Sequence, residues 1–238
     1  MSDKNIVVVE KLSKSYGNHL VLDDISFTLP KGEIIGLFGP NGCGKSTFMK
    51  ILTGLIHDYK GTVTINGEKP GAKTKAVVAY LPEQTFVHDW MRNIDAVNYF
   101  NDFFDDFNKQ KSLEMIERFG PNLKQKAKTM SKGQQEKLLL SLTMSRDADL
   151  YILDEPMGGV DPATRGQILD FIMQNYAGNS SLLISTHLIN DLEDVFTHAV
   201  FLGNGKVLLN DKVENILQDG KSIEDVFKEV FNNVWQTS

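Results

Sequence analysis

A glycine-rich segment near residue 40 has the residue types and spacing that can hold a triphosphate. It reads Gly39-Pro40-Asn41-Gly42-Cys43-Gly44-Lys45-Ser46 and fits the pattern G-x-x-x-x-G-K-S/T. Its glycines let backbone N–H groups approach phosphate oxygens, and the start of a following helix adds partial positive charge there. In this arrangement Lys45 reaches the outer phosphates and Ser46 supplies a hydroxyl ligand to Mg²⁺. We therefore predict a nucleoside triphosphate site with Mg²⁺ that runs from Gly39 through Thr47.

Two acidic residues follow a second apolar segment. Asp154 and Glu155 come directly after Leu150–Leu153. A buried strand that ends in two acids places carboxylates at the carboxyl edge of a sheet, where ligands bind. There Asp154 would hold Mg²⁺ through water, and Glu155 would polarise the water that attacks the γ-phosphate. Alone, such a pair is more often a helix cap or a surface turn, so its weight depends on the glycine-rich segment.

The segment Met130-Ser131-Lys132-Gly133-Gln134 opens a predicted helix. The Ser131 hydroxyl and the Gly133 backbone can form another anion site at a helix start. Taken alone, however, the segment indicates only an N-cap.

The elements around these motifs alternate between strand and helix. Short apolar segments at 33–38, 150–153 and 182–185 predict buried parallel strands, and helical segments lie between them. Residues 6–29 predict a β-rich opening, whereas residues 90–140 show only helical patterning. We therefore expect an α/β fold with an open, mostly parallel sheet.

Composition excludes several kinds of function. The chain has 238 residues and a net charge of −6, which gives it no overall footprint for nucleic acid. Its one cysteine, Cys43, allows no intramolecular disulfide and favours the reducing cytosol. No run of 18 apolar residues is present, so we expect membrane contact only through a partner.

Together these segments resemble the ATP-binding cassette (ABC) ATPases over nearly the whole chain. The family signature LSGGQ is matched by MSKGQ, with Met130 for the leucine and Lys132 for the first glycine. The resemblance implies a P-loop NTPase fold with a mostly parallel core sheet, an antiparallel β-subdomain and an inserted helical subdomain. It also implies that ATP and Mg²⁺ bind, and that Ser131, Gly133 and Gln134 contact the nucleotide.

The resemblance assigns further residues to the site. Tyr16 matches the aromatic that stacks on adenine, although a packed strand-end tyrosine is the alternative. Asp161 matches the aspartate that links two active sites across a dimer, and His187 matches the histidine that contacts the γ-phosphate. The Mg²⁺-sensing position falls in Tyr80-Leu81-Pro82-Glu83-Gln84, where either Glu83 or Gln84 can occupy it.

The predicted division is a single ABC domain over 1–238. Residues 1–84 and 141–210 form the catalytic core with its β-subdomain, 85–140 form the helical subdomain, and 211–238 form a C-terminal helical tail. Within the helical part, Phe100, Phe103, Phe104 and Phe107 recur at the spacing of one helix face. We interpret them as packing inside this lobe rather than as a docking surface.

Two expectations concern side chains of the glycine-rich segment. Lys45 is expected to face solvent, so that its removal costs little stability. Cys43 is expected to be a reactive thiol, because a helix start and a nearby lysine lower a thiol pKa. A buried, inert cysteine is the alternative.

Within the ABC family, the chain is most similar to ATPases of bacterial ABC-2-type exporters, through YLPE, DEPMGGVDPATR and SIEDVF. This similarity implies a peripheral subunit at the inner face of the cell membrane that hydrolyses ATP. It would drive separate transmembrane permease subunits, docked near residues 83–92 and the helical lobe, by ATP-dependent dimer closure. The second ATPase chain can be a copy of this one or a related cassette. The alternative is a soluble ABC ATPase of a non-transport machine, such as iron–sulfur cluster assembly.

Overall fold

A computed structural model describes residues 4–176, 178–217 and 220–236. Among these residues the strands form two sheets, one of three strands and one of six. The strands are β1 (Asn5–Tyr16), β2 (His19–Pro30), β3 (Ile34–Phe38), β4 (Lys60–Ile65), β5 (Val78–Leu81), β6 (Leu150–Asp154), β7 (Ser181–Ser185), β8 (His198–Gly203) and β9 (Lys206–Lys212).

The larger sheet has the order β5-β6-β7-β3-β8-β9. Its neighbours pair in parallel from β5 through β8, and only β9 runs antiparallel, as the second strand of a hairpin. The smaller sheet has the order β2-β1-β4 and is antiparallel. The predicted parallel core sheet and antiparallel β-subdomain are therefore confirmed.

Helices connect the strands and cover the large sheet. They are α1 (Lys45–Leu52), α2 (Ala72–Lys75), α3 (Asn93–Phe103), α4 (Lys109–Phe119), α5 (Lys132–Thr143), α6 (Pro162–Asn175), α7 (Ile189–Leu192), α8 (Val213–Ile216) and α9 (Ile223–Gln236). None of the helices in the described ranges is both long enough and apolar enough to cross a bilayer.

The apolar core has two parts because side chains alternate along the strands of the large sheet. In β6, Leu150 and Ile152 pack into the part that lies against the small sheet and α1. Tyr151 and Leu153 pack into the other part, with residues of α5 and α6. Burial on both faces explains why these strands read as continuous apolar segments.

The spacing of the four phenylalanines predicts that they lie on one face of a single helix, and this prediction is wrong. Helix α3 ends at Phe103, and Phe104 has extended backbone. Phe104 and Phe107 nevertheless pack on Phe100, with ring centroids 5.2 and 5.6 Å apart, whereas Phe103 is exposed. The interpretation as lobe packing therefore holds for three of the four rings. The subdomain boundaries after residues 84, 140 and 210 stay predictions.

Candidate nucleotide site

The glycine-rich segment connects the end of β3 to the start of α1. Gly44 precedes the helix with φ 111°, a left-handed conformation that side chains with a Cβ rarely adopt. A Cβ at this position would also lie 2.7 Å from Cδ2 of Leu22. Glycine is thus required here both by the turn and by the close packing of the loop on β2.

Lys45 is buried, contrary to the expectation that it faces solvent. Only 7% of its side chain is exposed, and its Nζ donates hydrogen bonds to the carbonyl oxygens of Gly39 (2.7 Å) and Pro40 (3.2 Å). The ammonium group is therefore held inside the same loop whose backbone N–H groups would bind a phosphate. These carbonyls act as stand-in partners, which a phosphate oxygen can replace.

Cys43 is also buried, and the expectation of a low thiol pKa is wrong. Burial raises the pKa of Cys43, and the nearby charge of Lys45 opposes this rise without cancelling it. The inert alternative therefore describes this thiol, and any contact of Cys43 with a phosphate would come from its backbone N–H.

The acids lie at the carboxyl end of β6, as the sequence predicts. Asp154 is 2% exposed, and its Oδ1 accepts a hydrogen bond from Oγ of Ser185 at 2.6 Å. Ser185 ends the neighbouring strand β7, so the pairing of the two strands brings this hydroxyl beside the carboxylate.

Glu155 and His187 form a close pair across the ends of the same two strands. Nδ1 of His187 lies 2.8 Å from Oε2 of Glu155, and the backbone N–H of Glu155 is bonded to the carbonyl of Ser185. Glu155 has φ 52°, a conformation that is uncommon without glycine and that clusters at functional sites. The backbone is thus bent so that the carboxylate faces the histidine.

These side chains share one cleft of about 870 Å³. It brings together most of the predicted site residues, namely Gly39, Pro40, Asn41, Gly42, Gly44, Lys45, Ser46, Thr47, Glu83, Gln84, Asp154, Glu155 and His187. Both candidates for the Mg²⁺-sensing position line this cleft, so the choice between Glu83 and Gln84 stays open.

Other predicted residues lie outside the lining of this cleft in the described chain: Tyr16, Cys43, Ser131, Gly133, Gln134 and Asp161. Tyr16 is exposed at the end of β1, with Nζ of Lys14 4.9 Å from its ring centroid. Asp161 caps α6 by accepting hydrogen bonds from the backbone N–H and the hydroxyl of Thr164. These bonds lower the pKa of Asp161.

The MSKGQ segment forms the N-cap that its sequence indicates. Oγ of Ser131 accepts from the backbone N–H of Gln134, and Oε1 of Gln134 accepts from the backbone N–H of Ser131. This reciprocal pair is a capping box, which holds the first turn of α5 in place.

Sequence reasoning missed several residues of the cleft. Lys132, noted only as a departure from the family signature, lines it, and a Cβ on Gly159 would collide with its ammonium group. Phe227 of the C-terminal helix also lines the cleft. The extra lysine at an anion-binding helix start was a usable signal for Lys132, whereas nothing local in the sequence connects α9 with the phosphate loop.

The donor set of the cleft fits Mg²⁺ with a nucleotide. Mg²⁺ prefers oxygen ligands. Four residues of the cleft offer side-chain oxygens, and the single nitrogen among them is the amide of Gln84: Ser46, Glu83, Gln84 and Asp154. The described residues contain no cluster of three or more His, Cys, Asp or Glu side chains able to hold a metal alone. Mg²⁺ is usually held by one or two carboxylates together with water and phosphates.

A family model described as "ABC transporter" matches residues 22–158, more than half of the chain. The chain belongs to the ABC transporter family. An uncharacterized ABC transporter ATP-binding protein of Methanocaldococcus jannaschii is 31% identical to this ABC protein over 92% of the chain and 82% of the relative. The lipopolysaccharide export system ATP-binding protein LptB of Haemophilus influenzae is 28% identical over 90% of the chain and 94% of the relative.

A solved structure supports the same family. It is entitled "Structure of ATP binding subunit of ABC transporter", superimposes with a TM-score of 0.82 at 26% identity, and covers 95% of this chain and 99% of that one. The ABC protein is therefore an ATP-binding subunit of an ABC transporter and an ATPase, as the resemblance implied.

Proposed function

We propose that this ABC protein hydrolyses ATP to drive a separate transmembrane subunit of an exporter. The observation that carries the proposal is that Lys45, Glu155 and His187 converge on one cleft. The LptB relative, which belongs to an export system, supports the direction of transport. We place the working protein at the cytoplasmic face of a membrane, held there by its partner.

The chemistry follows from the positions of these side chains. The loop N–H groups and Lys45 bind the phosphates, while Glu155 acts as the general base that takes a proton from the attacking water. His187 orients Glu155 through their 2.8 Å contact, and its other ring nitrogen would contact the γ-phosphate of bound ATP. Ser46, Asp154 and one of Glu83 and Gln84 would hold Mg²⁺, which when bound neutralises charge on the phosphates.

Closure of a dimer would complete each site. Ser131, Gly133 and Gln134 lie outside the lining of their own chain's cleft, which supports the proposal that they contact ATP in the other subunit. Asp161, at the start of α6, would lie between the two sites. Because one chain carries both halves, a homodimer is favoured over pairing with a related cassette.

We propose that the transmembrane subunit docks in an apolar groove beside the helical part. The groove encloses about 700 Å³ and is lined by Phe86, Trp90, Tyr99, Phe100 and Phe104, among others. Trp90 is 68% exposed, which is unusual for so large an aromatic side chain. Pro82 lines the groove and precedes Glu83 and Gln84 in the chain, so a docked helix would lie next to the loop that carries the Mg²⁺-sensing position.

The docking proposal is tested by co-expressing the chain with a candidate transmembrane subunit of an ABC exporter and isolating the complex in detergent. Trp90→Ala should reduce recovery of the complex, because it removes the most exposed aromatic of the groove. Leu20→Ala, an exposed residue outside the groove, is the matched control. Equal recovery of both variants and wild type would contradict docking at the groove. A chain that hydrolyses ATP but never retains a membrane protein would instead favour a non-transport ABC ATPase.

A further inference from the structure

We infer that Tyr80 is a positioning residue for Asp154. The Tyr80 hydroxyl orients the Asp154 carboxylate for Mg²⁺. This inference rests on the proposed function, because it concerns the metal site of the same ATPase. Three observations support it: the position of the Tyr80 ring, the burial of its hydroxyl without a hydrogen-bond partner, and the acidic groups near that hydroxyl.

Tyr80 lies on β5, directly beside the strand that carries the acid. It pairs with Ile152 of β6, two residues before Asp154. Its ring packs against the core between the large sheet and α1 and also lines the apolar groove. Because side chains alternate along strands, Tyr80 lies on the same face of the sheet as Ile152 and Asp154.

The Tyr80 hydroxyl is buried and has no hydrogen-bond partner in the part of the chain that the structure describes. Its surroundings are acidic: burial raises the pKa of Tyr80 most, and the charges of Asp154 and Glu83 and the approach of the hydroxyl to the Asp154 carboxylate raise it further. This approach falls short of full hydrogen-bond geometry. A buried hydroxyl without a partner destabilises the fold. A buried hydroxyl in this state, beside the proposed metal ligand, is suited to donate a hydrogen bond to it.

Asp154 has room for such a donor. Its Oδ1 accepts a hydrogen bond from the hydroxyl of Ser185, and the carboxylate can accept from a second donor as well. A second donor on the carboxylate would fix its plane, as groups behind metal ligands commonly do. The small movement that brings the Tyr80 hydroxyl into hydrogen-bond range would satisfy both groups at once.

Tyr59 provides a matched control within the same core. Its hydroxyl is also buried without a partner among the described residues, and its ring packs against the same core cluster. Burial alone raises the pKa of Tyr59, with no carboxylate contributing. Tyr59→Phe therefore removes the same atom from the same core, away from the metal site.

The test compares wild type, Tyr80→Phe and Tyr59→Phe. Phenylalanine keeps each ring and removes a hydroxyl that has no partner, so both variants should be at least as stable as wild type in urea without ligand. Binding of a fluorescent ATP analogue is then titrated with Mg²⁺ by anisotropy, and again in EDTA. This readout does not depend on turnover.

We expect Tyr80→Phe to need roughly 10-fold more Mg²⁺ for half-saturation, the scale on which groups behind metal ligands act. Its affinity for the analogue in EDTA should equal that of wild type, and Tyr59→Phe should match wild type throughout. A Tyr80→Phe curve that coincides with wild type would overturn the inference, as would an equal shift in Tyr59→Phe. Wild type that binds no nucleotide at all would instead overturn the proposed function.

If Tyr80→Phe folds poorly despite this expectation, the hydroxyl has a structural role and the inference is wrong. A second comparison uses Asp154→Asn. Because Tyr80 acts through Asp154, adding Tyr80→Phe to Asp154→Asn should produce no further change in the Mg²⁺ requirement. Additive shifts would show that Tyr80 acts elsewhere.

Discussion

Replacing Lys45 with methionine separates the two roles that the structure gives this side chain. Methionine keeps most of the buried stem and removes the ammonium group. That group donates to the carbonyls of Gly39 at 2.7 Å and Pro40 at 3.2 Å in the ligand-free chain. Losing it should lower the free energy of unfolding by about 1–3 kcal/mol, the cost of a buried acceptor left unpaired.

The same change should weaken nucleotide binding by a separate amount. A hydrogen bond to a charged group contributes about 1.5–3 kcal/mol, which corresponds to a loss of affinity of roughly 10- to 150-fold. Isothermal titration calorimetry with Mg-ATP measures this loss, and urea unfolding without nucleotide measures the stability. Lys50→Met, an exposed lysine at the other end of α1, is the control and should change neither by much.

Two results would refute this reasoning. Wild-type affinity in Lys45→Met would show that the loop does not hold phosphates. Unchanged stability would show that the two bonds to the loop carbonyls contribute nothing, and that the ammonium is as free as the sequence alone suggested.

Other expectations follow from the same structure. Cys43 should react with a maleimide at least about 10-fold more slowly in the folded chain than in urea, because the thiol is buried and its pKa is raised; equal rates would contradict its burial. One of Glu83→Gln and Gln84→Ala should reduce ATP turnover without abolishing nucleotide binding, whereas wild-type turnover in both would leave neither in the Mg²⁺-sensing role. Arg146→Met should lower the free energy of unfolding by about 3–5 kcal/mol, because it leaves Asp106 without its partner at 2.7 Å. Arg165→Met, which breaks a more exposed pair, should cost about 1 kcal/mol or less in the same urea titration.

The sequence predicts the core sheet and most of the cleft because their signals are local. A continuous apolar segment such as Leu150–Leu153 indicates a buried strand by itself, and the strand-loop-helix order around Lys45 fixes the phosphate loop. Since parallel strands end at one edge of the sheet, Glu155 and His187 could be expected to meet there.

What the sequence does not predict depends on contacts between distant segments. The burial of Cys43 and Lys45 follows from how tightly the loop packs on β2 and β8, which no local pattern records. Phe104 leaves the helix although its spacing continues the pattern, because tertiary packing on Phe100 and Arg146 replaces helical periodicity. The place of Phe227 at the cleft likewise depends on where the C-terminal helix docks.

The central proposal is that bound ATP brings two copies of this chain together, and that Glu155 then acts as the base for hydrolysis of this ATP. Glu155→Gln tests it most directly, because glutamine keeps the size of the side chain but cannot act as a base, and a lost general base costs about 10²- to 10⁴-fold in rate. Size-exclusion chromatography with light scattering should find a dimer of Glu155→Gln in Mg-ATP and a monomer in Mg-ADP. Adding Lys45→Met should restore the monomer in ATP. A Glu155→Gln chain that stays monomeric at saturating ATP would contradict the self-paired dimer, and wild-type hydrolysis in this variant would contradict Glu155 as the base.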